Sequence, residues 1–289
     1  MTLLSILVGL GLEYFLGTLD RIRNFVWFEK YSNWLEQRCN KLALWDGPVG
    51  VLITIGIPLL VLALVANFLG NISIILSFIL AVIIFIYSIG SDVNTLLSNY
   101  IEALESDDEG SIRGIESQLG QVNDGEEDNS LDIIQSVLMR AHDHIFAVIF
   151  WFIILGVVGA LLYSLTVRLK LIFNDIHGAY ADAVRNLYNV LIWPTARLMA
   201  VGFALAGSLV DALEGWRDVS GNSSIDSSED VIRKTSLGAI QYQKRQRENE
   251  QEQRAVFLDH LQEIQTLVNR TLIIWLTILG LMTISGTLS

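Results

Sequence analysis

Residues 48 to 90 carry no charged side chain, and this feature constrains the fold more than any other in the chain. At about 1.5 Å per helical residue, each half of the stretch can cross a hydrocarbon core roughly 30 Å thick. A polar break at Asn67, Gly70 and Asn71 separates the halves, as expected where a chain turns back at a membrane surface. A helix on the surface of a water-soluble protein would need a polar face here. The sequence therefore predicts an integral membrane protein.

Composition supports this prediction, because 52% of the residues are hydrophobic and only 17% are charged. Only helices and closed barrels span lipid, since every backbone amide must be satisfied internally. The apolar runs lack the alternating polarity of barrel strands, so the predicted fold class is an all-α polytopic membrane helix bundle. The single cysteine, Cys39, excludes an intrachain disulfide and a cysteine-based metal site. The net charge of −12 comes largely from the acidic stretch 102–132, so it is only a weak argument against nucleic acid as a partner. The predicted partner is the lipid bilayer.

About six membrane segments are expected, namely residues 3–17, 48–68, 72–90, 145–166, 187–210 and 271–288. The fifth contains Pro194 and Arg197, so a kinked or re-entrant helix is an alternative to a full crossing. The segments divide the chain into four regions. The first region, residues 1–90, contains membrane helices and a cytoplasmic loop at 18–47. The second, residues 91–144, is an acidic cytoplasmic segment that is partly helical and partly mobile. Membrane helices follow over 145–217, and in the last region, 218–289, one long cytoplasmic helix at 229–270 runs into the final span.

Basic residues in the loops set the predicted orientation. Most of them lie between the first two segments or just before the last one, and the positive-inside rule makes both loops cytoplasmic. With six crossings, the loop at 167–186 then faces outward. That loop carries Arg168, Lys170 and Arg185, and these cations oppose the predicted topology.

Two ionisable residues fall inside predicted spans. Glu13 lies deep in the first apolar run, where a carboxylate must face protein or water. It is interpreted equally well as a ligand or proton contact and as the structural partner of a buried arginine. Arg197 is its natural partner by charge, and a guanidinium in a proline-broken segment also suits an anionic ligand.

The run His142-Asp143-His144 has the residue types of a metal site. Residues two apart on a helix point about 200° apart, so both histidines reach one ion only if the helix unwinds. Polar residues at the mouth of a span are the favoured interpretation, and no metal is predicted. No Walker pattern is present, and Gly156 and Gly159 are interpreted as positions of close helix approach rather than as a phosphate cradle.

These residues together predict a ligand pocket inside the bundle. Its predicted lining is Glu13, Arg197 and Tyr163, with Asp92, His142 and Asp143 at the cytoplasmic mouth. Such a pocket would suit a phosphate- or carboxylate-bearing ligand. The residues themselves identify no catalytic group.

Several segments, taken in order, resemble a known family. They are LGLEYFLG, GPVGVL, FWFIILGVVGALLY, WPTARLMAVGFALAG, ALEGWR and LVNRTLIIWLTILGLMTISG. The chain is identified by them as resembling the AmpE family of inner-membrane proteins associated with β-lactamase induction in Gram-negative bacteria. The resemblance implies a regulatory or sensory protein of the bacterial inner membrane, linked to cell-wall recycling, with a protein partner in β-lactamase regulation and a cell-wall-derived ligand.

That family is in turn similar to the CobD/CbiB family of cobalamin biosynthesis, which forms an amide bond with nucleotide consumption. The shared elements here are FW…G..GALLY, the later ARL and TSLGA at 235–239. Magnesium with a nucleotide is the cofactor that this second resemblance implies. The departures are substantial, because the polar pattern expected after Tyr163 is absent and the paired aspartates before the proline are Tyr188 and Asn189. Asp92 and Asp143 are the remaining candidates for oxygen ligands.

Three functions therefore stay open from the sequence. The leading hypothesis is an AmpE-type regulator, and whether the chain is an enzyme is left undecided. The alternatives are a CobD-like ligase that hydrolyses nucleotide, and a transporter or scaffold for a lipid-linked cell-wall intermediate.

Overall fold

The structure is a computed structural model, and it describes residues 2–16, 25–39, 45–90, 93–119, 130–173, 176–220, 227–242 and 250–286. Within these ranges the chain is helical and contains no β-strand. The helices are α1 (Thr2–Leu16), α2 (Val26–Cys39), α3 (Pro48–Ile72), α4 (Ile74–Ser88), α5 (Val93–Ser106), α6 (Glu109–Gln118), α7 (Ser130–Ala141), α8 (Ala147–Ile172), α9 (Ala179–Ala206), α10 (Leu209–Ser220), α11 (Ser228–Ala239) and α12 (Glu250–Ile284). A π-helical turn, His142–Phe146, joins α7 to α8.

Five helical stretches in the described ranges are long and apolar enough to cross a membrane. They are Pro48–Ile72, Ile74–Ser106, Ser130–Ile172, Ala179–Ala206 and Arg254–Ile284, and a shorter apolar helix covers Thr2–Glu13. Large apolar side chains of α3 and α4, such as Leu60 and Ile75, are more than half exposed. Water would not tolerate an apolar surface of this extent, whereas lipid does. The predicted all-α polytopic membrane bundle is confirmed.

The chain forms two compact units, each assembled from segments that are distant in sequence. Unit 1 contains Met1–Ser91, Asp143–Trp193 and Met282–Ser289. Unit 2 contains Asp92–His142 and Pro194–Leu281.

Unit 1 is built around α8, which packs against α1, α3 and α4. Phe85 of α4 lies with its ring centroid 4.9 Å from that of Phe152, and both side chains are buried. A Cβ added at Gly9 of α1 would lie 2.5 Å from Phe85 Cδ1, so the missing side chain lets α1 approach α4 closely. Small residues play this part between helices in lipid, where packing rather than transfer from water drives association.

The predicted hairpin at 48–90 is present as α3 and α4, but its turn lies later than the polar break suggests. Helix α3 continues past Asn67, Gly70 and Asn71 to Ile72. Ser73 then adopts an extended conformation, and its Oγ accepts a hydrogen bond from the Ile75 amide at 3.3 Å. The turn therefore lies at Ser73, whose side chain caps the first turn of α4.

Helix α8 reverses direction at Gly156, where φ is 63° and ψ is −147°. In a straight helix, residues 143 and 163 would lie about 30 Å apart. In the structure the Tyr163 hydroxyl donates to Asp143 Oδ1 at 2.7 Å. The segment predicted as a simple crossing at 145–166 is therefore a helical hairpin, with a first limb over 147–155 and a second limb over 157–172.

This reversal changes the predicted topology. Asp46 Oδ1 accepts a hydrogen bond from the Tyr180 amide at 3.2 Å, and the rings of Trp45 and Tyr180 stack with centroids 6.1 Å apart. The starts of α3 and α9 thus lie at one end of unit 1. The prediction put loops 18–47 and 167–186 on opposite sides of a core roughly 30 Å thick, which these contacts rule out. That part of the predicted topology is wrong, and the cations at Arg168, Lys170 and Arg185 no longer oppose the positive-inside rule.

Residues 187–210, for which a kinked or re-entrant helix was the alternative to a full crossing, lie mostly in α9, and their last two residues begin α10. Helix α9 begins at Ala179 and continues through Pro194 to Ala206. The chain reversal thus belongs to a glycine in α8 and not to the proline in α9. Pro194 removes one backbone donor, whereas Gly156 adopts a conformation that other residues rarely reach.

Unit 2 contains the close pair α10 and α11, which contact each other extensively, and α11 also packs against α7. Glycine makes this pair possible. A Cβ added at Gly238 would lie 2.7 Å from the Asp211 carbonyl carbon, and one added at Gly215 would lie 2.9 Å from that of Lys234. Helix α12 joins the same unit through Phe257, whose ring meets that of Tyr100 edge-on at 6.2 Å.

The single helix predicted over 229–270 is two helices, α11 and α12, and residues 243–249 between them lie outside the described ranges. Helix α11 ends at Ala239, and Gln241 has a φ of 52°. The Ala239 carbonyl accepts a hydrogen bond from the Ser208 amide at 2.9 Å, and the Gln241 side chain donates to Asp211 at 2.6 Å. These contacts with distant residues end the helix where local propensity would have continued it.

Candidate functional site

Asp143, Tyr163, Tyr188 and Lys170 form a polar group inside unit 1, here called the Asp143 centre. Tyr163 donates to Asp143 Oδ1 at 2.7 Å, and the Tyr188 hydroxyl lies 3.1 Å from both carboxylate oxygens. Both tyrosine side chains are fully buried, and Asp143 is partly exposed. The Asp143 carboxylate thus accepts hydrogen bonds from two tyrosine hydroxyls that belong to different helices.

Each member of the centre is placed by a specific element. Asp143 lies in the π-helical turn, a local widening of the helix that is often found at functional sites. The reversal at Gly156 brings Tyr163, in the second limb of α8, back beside Asp143. Tyr188 comes from the part of α9 that belongs to unit 1. The centre therefore exists only when α8 is folded into its hairpin.

Positive charge lies next to the centre. The Lys170 Nζ is 3.8 Å from the centroid of the Tyr188 ring, which is a cation–π distance. Hydrogen bonds from hydroxyls to an ionised carboxylate are shorter and stronger than those between neutral groups. The 2.7 Å distance from Tyr163 fits this description. The arrangement can hold one negative charge inside the protein through two donors and a nearby cation.

Gly90 supports the π-helical turn from the end of α4. A Cβ added at Gly90 would overlap the imidazole ring of His144, and the Gly90 amide lies 3.4 Å from the His144 carbonyl oxygen. Ser164 of the second limb donates to the Ser88 carbonyl at 3.1 Å. The end of α4 therefore contacts both the π-helical turn and the second limb of the hairpin.

The structure brings together two of the six predicted pocket residues, Tyr163 and Asp143. His142 and Arg197 belong to unit 2. His142 Nε2 is 2.9 Å from Thr195 Oγ1, with both side chains fully buried, and Arg197 Nη1 is 3.4 Å from Ser228 Oγ. Asp92 lies outside the described residues.

Glu13 lies in α1 within unit 1 and is partly exposed. Glu13 and its predicted partner Arg197 belong to different units, and the pairing stays a prediction. His142 and Asp143 are adjacent in the chain, but His142 contacts Thr195 and Asp143 contacts the two tyrosines of the centre. Among the described residues, no three of His, Cys, Asp and Glu lie close enough to hold a metal ion together.

Two members of the centre, Tyr188 and Lys170, were not predicted as site residues. The resemblance to the cobalamin-biosynthesis family implied an aspartate at the position of Tyr188. That signal indicated a lost carboxylate, and nothing local to residue 188 indicates a donor to Asp143. Lys170 lies in a run that resembles an ordinary helix end with a basic last turn.

Comparison with known proteins gives one match to the whole chain. A family described as "Regulatory signalling modulator protein AmpE" matches residues 1–289. A cobalamin biosynthesis protein CobD from Stutzerimonas stutzeri is 36% identical over 86 residues, which are 29% of this chain and 28% of that protein. A CobD from Chromobacterium violaceum is 36% identical over 87 residues, 29% of this chain and 27% of that protein. The matches span under a third of these relatives, and no solved structure matches.

Proposed function

Since this chain belongs to the AmpE family of regulatory signalling modulators, we propose that it is a bacterial inner-membrane regulator linked to β-lactamase induction and cell-wall recycling. The Asp143 centre is the element that changes state in response to a ligand. A protein partner in β-lactamase regulation then receives the change.

The observation that carries this proposal is the bridge that Asp143 makes between Tyr163 and Tyr188. The carboxylate fixes the second limb of α8 and one part of α9 relative to the π-helical turn. Loss of the bridge frees two helices at once, and a switch needs such an element with two discrete arrangements.

An anionic ligand has the chemistry to open the bridge. Phosphate and carboxylate oxygens accept hydrogen bonds from hydroxyls as the Asp143 carboxylate does, so they compete for the same two donors. Lys170 adds a positive charge beside Tyr188 that favours the incoming anion. The proposed ligand is a cell-wall-derived, phosphate- or carboxylate-bearing molecule. The ligand contacts expected of Glu13, Arg197, His142 and Asp92 stay predictions.

The test is complementation of a deletion strain of the host bacterium. Wild-type protein and the Asp143→Asn, Tyr163→Phe and Tyr188→Phe variants are expressed at equal levels, and β-lactamase activity is assayed with and without an inducing β-lactam. We expect deletion to change the induction ratio about fivefold or more, the lower end of typical couplings between sites. Wild type should restore the ratio, whereas the three variants should not.

Tyr31→Phe is the matched control, because it removes a tyrosine hydroxyl of unit 1 that is not part of the centre. An induction ratio that is the same in the deletion strain and the wild type would overturn the link to β-lactamase. Full complementation by Asp143→Asn would overturn the role of the centre.

The partial match to CobD supports a second candidate, a ligase that consumes nucleotide. It predicts magnesium-dependent nucleotide hydrolysis by the purified protein that disappears in Asp143→Ala. Absence of turnover with ATP, GTP and CTP would end this candidate without affecting the first.

A further inference from the structure

Unit 2 contains an open cavity of about 570 Å³ that the proposed function does not use. One wall is a face of α12, with side chains at Asp259, Gln262, Glu263, Thr266 and Arg270. The opposite wall is made by Ala206–Ser208 and Ala239–Gln241. We call this cavity the α12 groove. Its volume lies within the usual range of ligand sites, about 300–1,000 Å³.

The groove presents both signs of charge along one line. Asp259, Glu263 and Arg270 are four and seven residues apart, so they project from the same face of α12. The rise along the helix places Arg270 about 10 Å from Glu263 and about 16 Å from Asp259. The negative end and the positive end of the groove are therefore well separated.

The opposite wall runs along this line from end to end. Gly202 packs against Thr271 and Trp275, so the residues that follow it, Ala206 onward, pass beside the Arg270 end. The rings of Tyr242 and His260 lie 4.8 Å apart, which places the residue before Tyr242 beside the Asp259 end. Ser208, Asp211 and Gln241 are hydrogen-bonded to one another, so the two segments of this wall are held together.

Several polar side chains of the α12 face are available to a ligand. Asp259, Gln262, Thr266 and Arg270 are exposed, and within the described ranges their side chains make no hydrogen bond or ion pair. Glu263 is engaged by His260, whose Nδ1 lies 3.2 Å from its Oε2. Within the described ranges, Asp259 is therefore a carboxylate of the groove with no hydrogen bond or ion pair, and Arg270 is a cation with none.

We propose that the α12 groove binds a short linear peptide with free termini, its ammonium group at Asp259 and its carboxylate at Arg270. An extended peptide spans about 3.5 Å per residue, so three to four residues are roughly 10–14 Å long. This length fits between Asp259 and Arg270, because both side chains reach inward from positions about 16 Å apart on the helix. Gln262 and Thr266, between the charges, supply the donors and acceptors that a peptide backbone needs. A ligand with a single charge would leave one end of the groove unmatched.

Binding is tested on the purified full-length protein in detergent by isothermal titration calorimetry. The probes are tetra-alanine with free termini, tetra-alanine acetylated and amidated at its ends, and free alanine. We expect the free tetrapeptide to bind and the other two probes to bind at least about tenfold more weakly, since the blocked peptide loses both charged ends and free alanine cannot reach both charges at once. Equal affinity of the free and blocked tetrapeptides would overturn the proposal, and so would absence of binding by the free one.

Two variants and two controls locate the site. Arg270→Gln and Asp259→Asn should each weaken tetra-alanine binding about tenfold or more. Arg217→Gln and Glu214→Asn on exposed positions of α10 change the same charges outside the groove and should bind as the wild type does. Circular dichroism of each variant checks that it is folded. Wild-type affinity in both groove variants would place the peptide elsewhere and overturn the assignment, and the result does not depend on the β-lactamase assay.

Discussion

Tyr163 donates a hydrogen bond of 2.7 Å to Asp143, although twenty residues of nearly continuous helix separate them. The contact exists because α8 turns back on itself at Gly156. The same turn makes Gly159 approach the Trp151 carbonyl of its own helix, where a Cβ would not fit. Two glycines that resemble ordinary small residues of a membrane helix are thus required by a chain reversal.

Gly156→Ala should destabilise the protein through its backbone alone. A Cβ at this position would meet no atom within 4 Å, so crowding plays no part. The φ of 63° with ψ of −147° is a combination that is almost restricted to glycine, and other residues lose about 1–3 kcal/mol there. We expect a lower midpoint of thermal unfolding in detergent.

Gly56→Ala is the control for this prediction, because Gly56 lies inside α3 and a Cβ there also meets nothing within 4 Å. In a regular helix alanine is favoured over glycine by about 0.5–1 kcal/mol, so its midpoint should stay the same or rise. Equal midpoints for the two variants would contradict a strained conformation at Gly156.

Gly238→Ala should destabilise the α10–α11 pair for a different reason, direct overlap. Its Cβ would lie 2.7 Å from the Asp211 carbonyl carbon and 3.0 Å from Ala212 Cα, and backbone atoms cannot rotate away. Overpacking of this kind costs about 1–3 kcal/mol. Limited proteolysis of unit 2 should become faster, whereas Gly114→Ala in the exposed helix α6, where nothing lies within 4 Å, should leave it unchanged.

The Asp211 side chain should make stability depend on pH. Hydrogen bonds from Ser208 and Gln241 lower the pKa of this carboxyl below its usual value. A lowered folded-state pKa means that the contribution is fully present above the unfolded pKa, about 3.9, and is lost as pH falls through the folded value. Asp211→Asn should therefore lower the unfolding midpoint at pH 7 and change it less near pH 2.5.

Glu214→Gln on the same helix is the control, and its effect on the midpoint should be small at both pH values because Glu214 is exposed. An Asp211→Asn effect of the same size at pH 7 and in acid would show that the ionised carboxylate is not what stabilises the turn.

The shared end of α3 and α9 gives a prediction about sidedness. Single cysteines at Glu36 and His177, in a Cys39→Ser background, lie on exposed positions near the Trp45–Tyr180 contact. They should react alike with a membrane-impermeant maleimide in intact cells, and the positive-inside rule predicts that both are protected. Lysis should then expose both. Labelling of one and protection of the other would contradict the hairpin in α8.

The sequence predicts the helices of this protein well because charge-free runs of this length have one stable arrangement in lipid. The α3–α4 hairpin follows from the composition of 48–90, and the errors are at its turn, where Ser73 caps a helix and nearby Asn and Gly do not. The reversal at Gly156 could not be predicted from the same reasoning, since glycine in a membrane helix more often marks close packing.

The site was predictable only in part. Asp143 and Tyr163 could be named because ionisable and aromatic residues inside apolar runs need partners. Their contact with each other could not, because it depends on a dihedral angle at a third residue. Tyr188 and Lys170 belong to the centre because of the way their helices are rotated, and the sequence does not determine that rotation. The α12 groove depends on the end of α11, which helix propensity would not place at Ala239.

A hydropathy profile assigns each loop to one side of the membrane by counting apolar maxima, because every maximum is taken as one complete crossing. The segment at 145–166 enters the membrane and turns back, so it leaves the chain on the side from which it came. A reporter enzyme fused after Tyr180 should then report the same compartment as one fused before Asp46. Counting each maximum as a crossing would instead put the two reporters in opposite compartments.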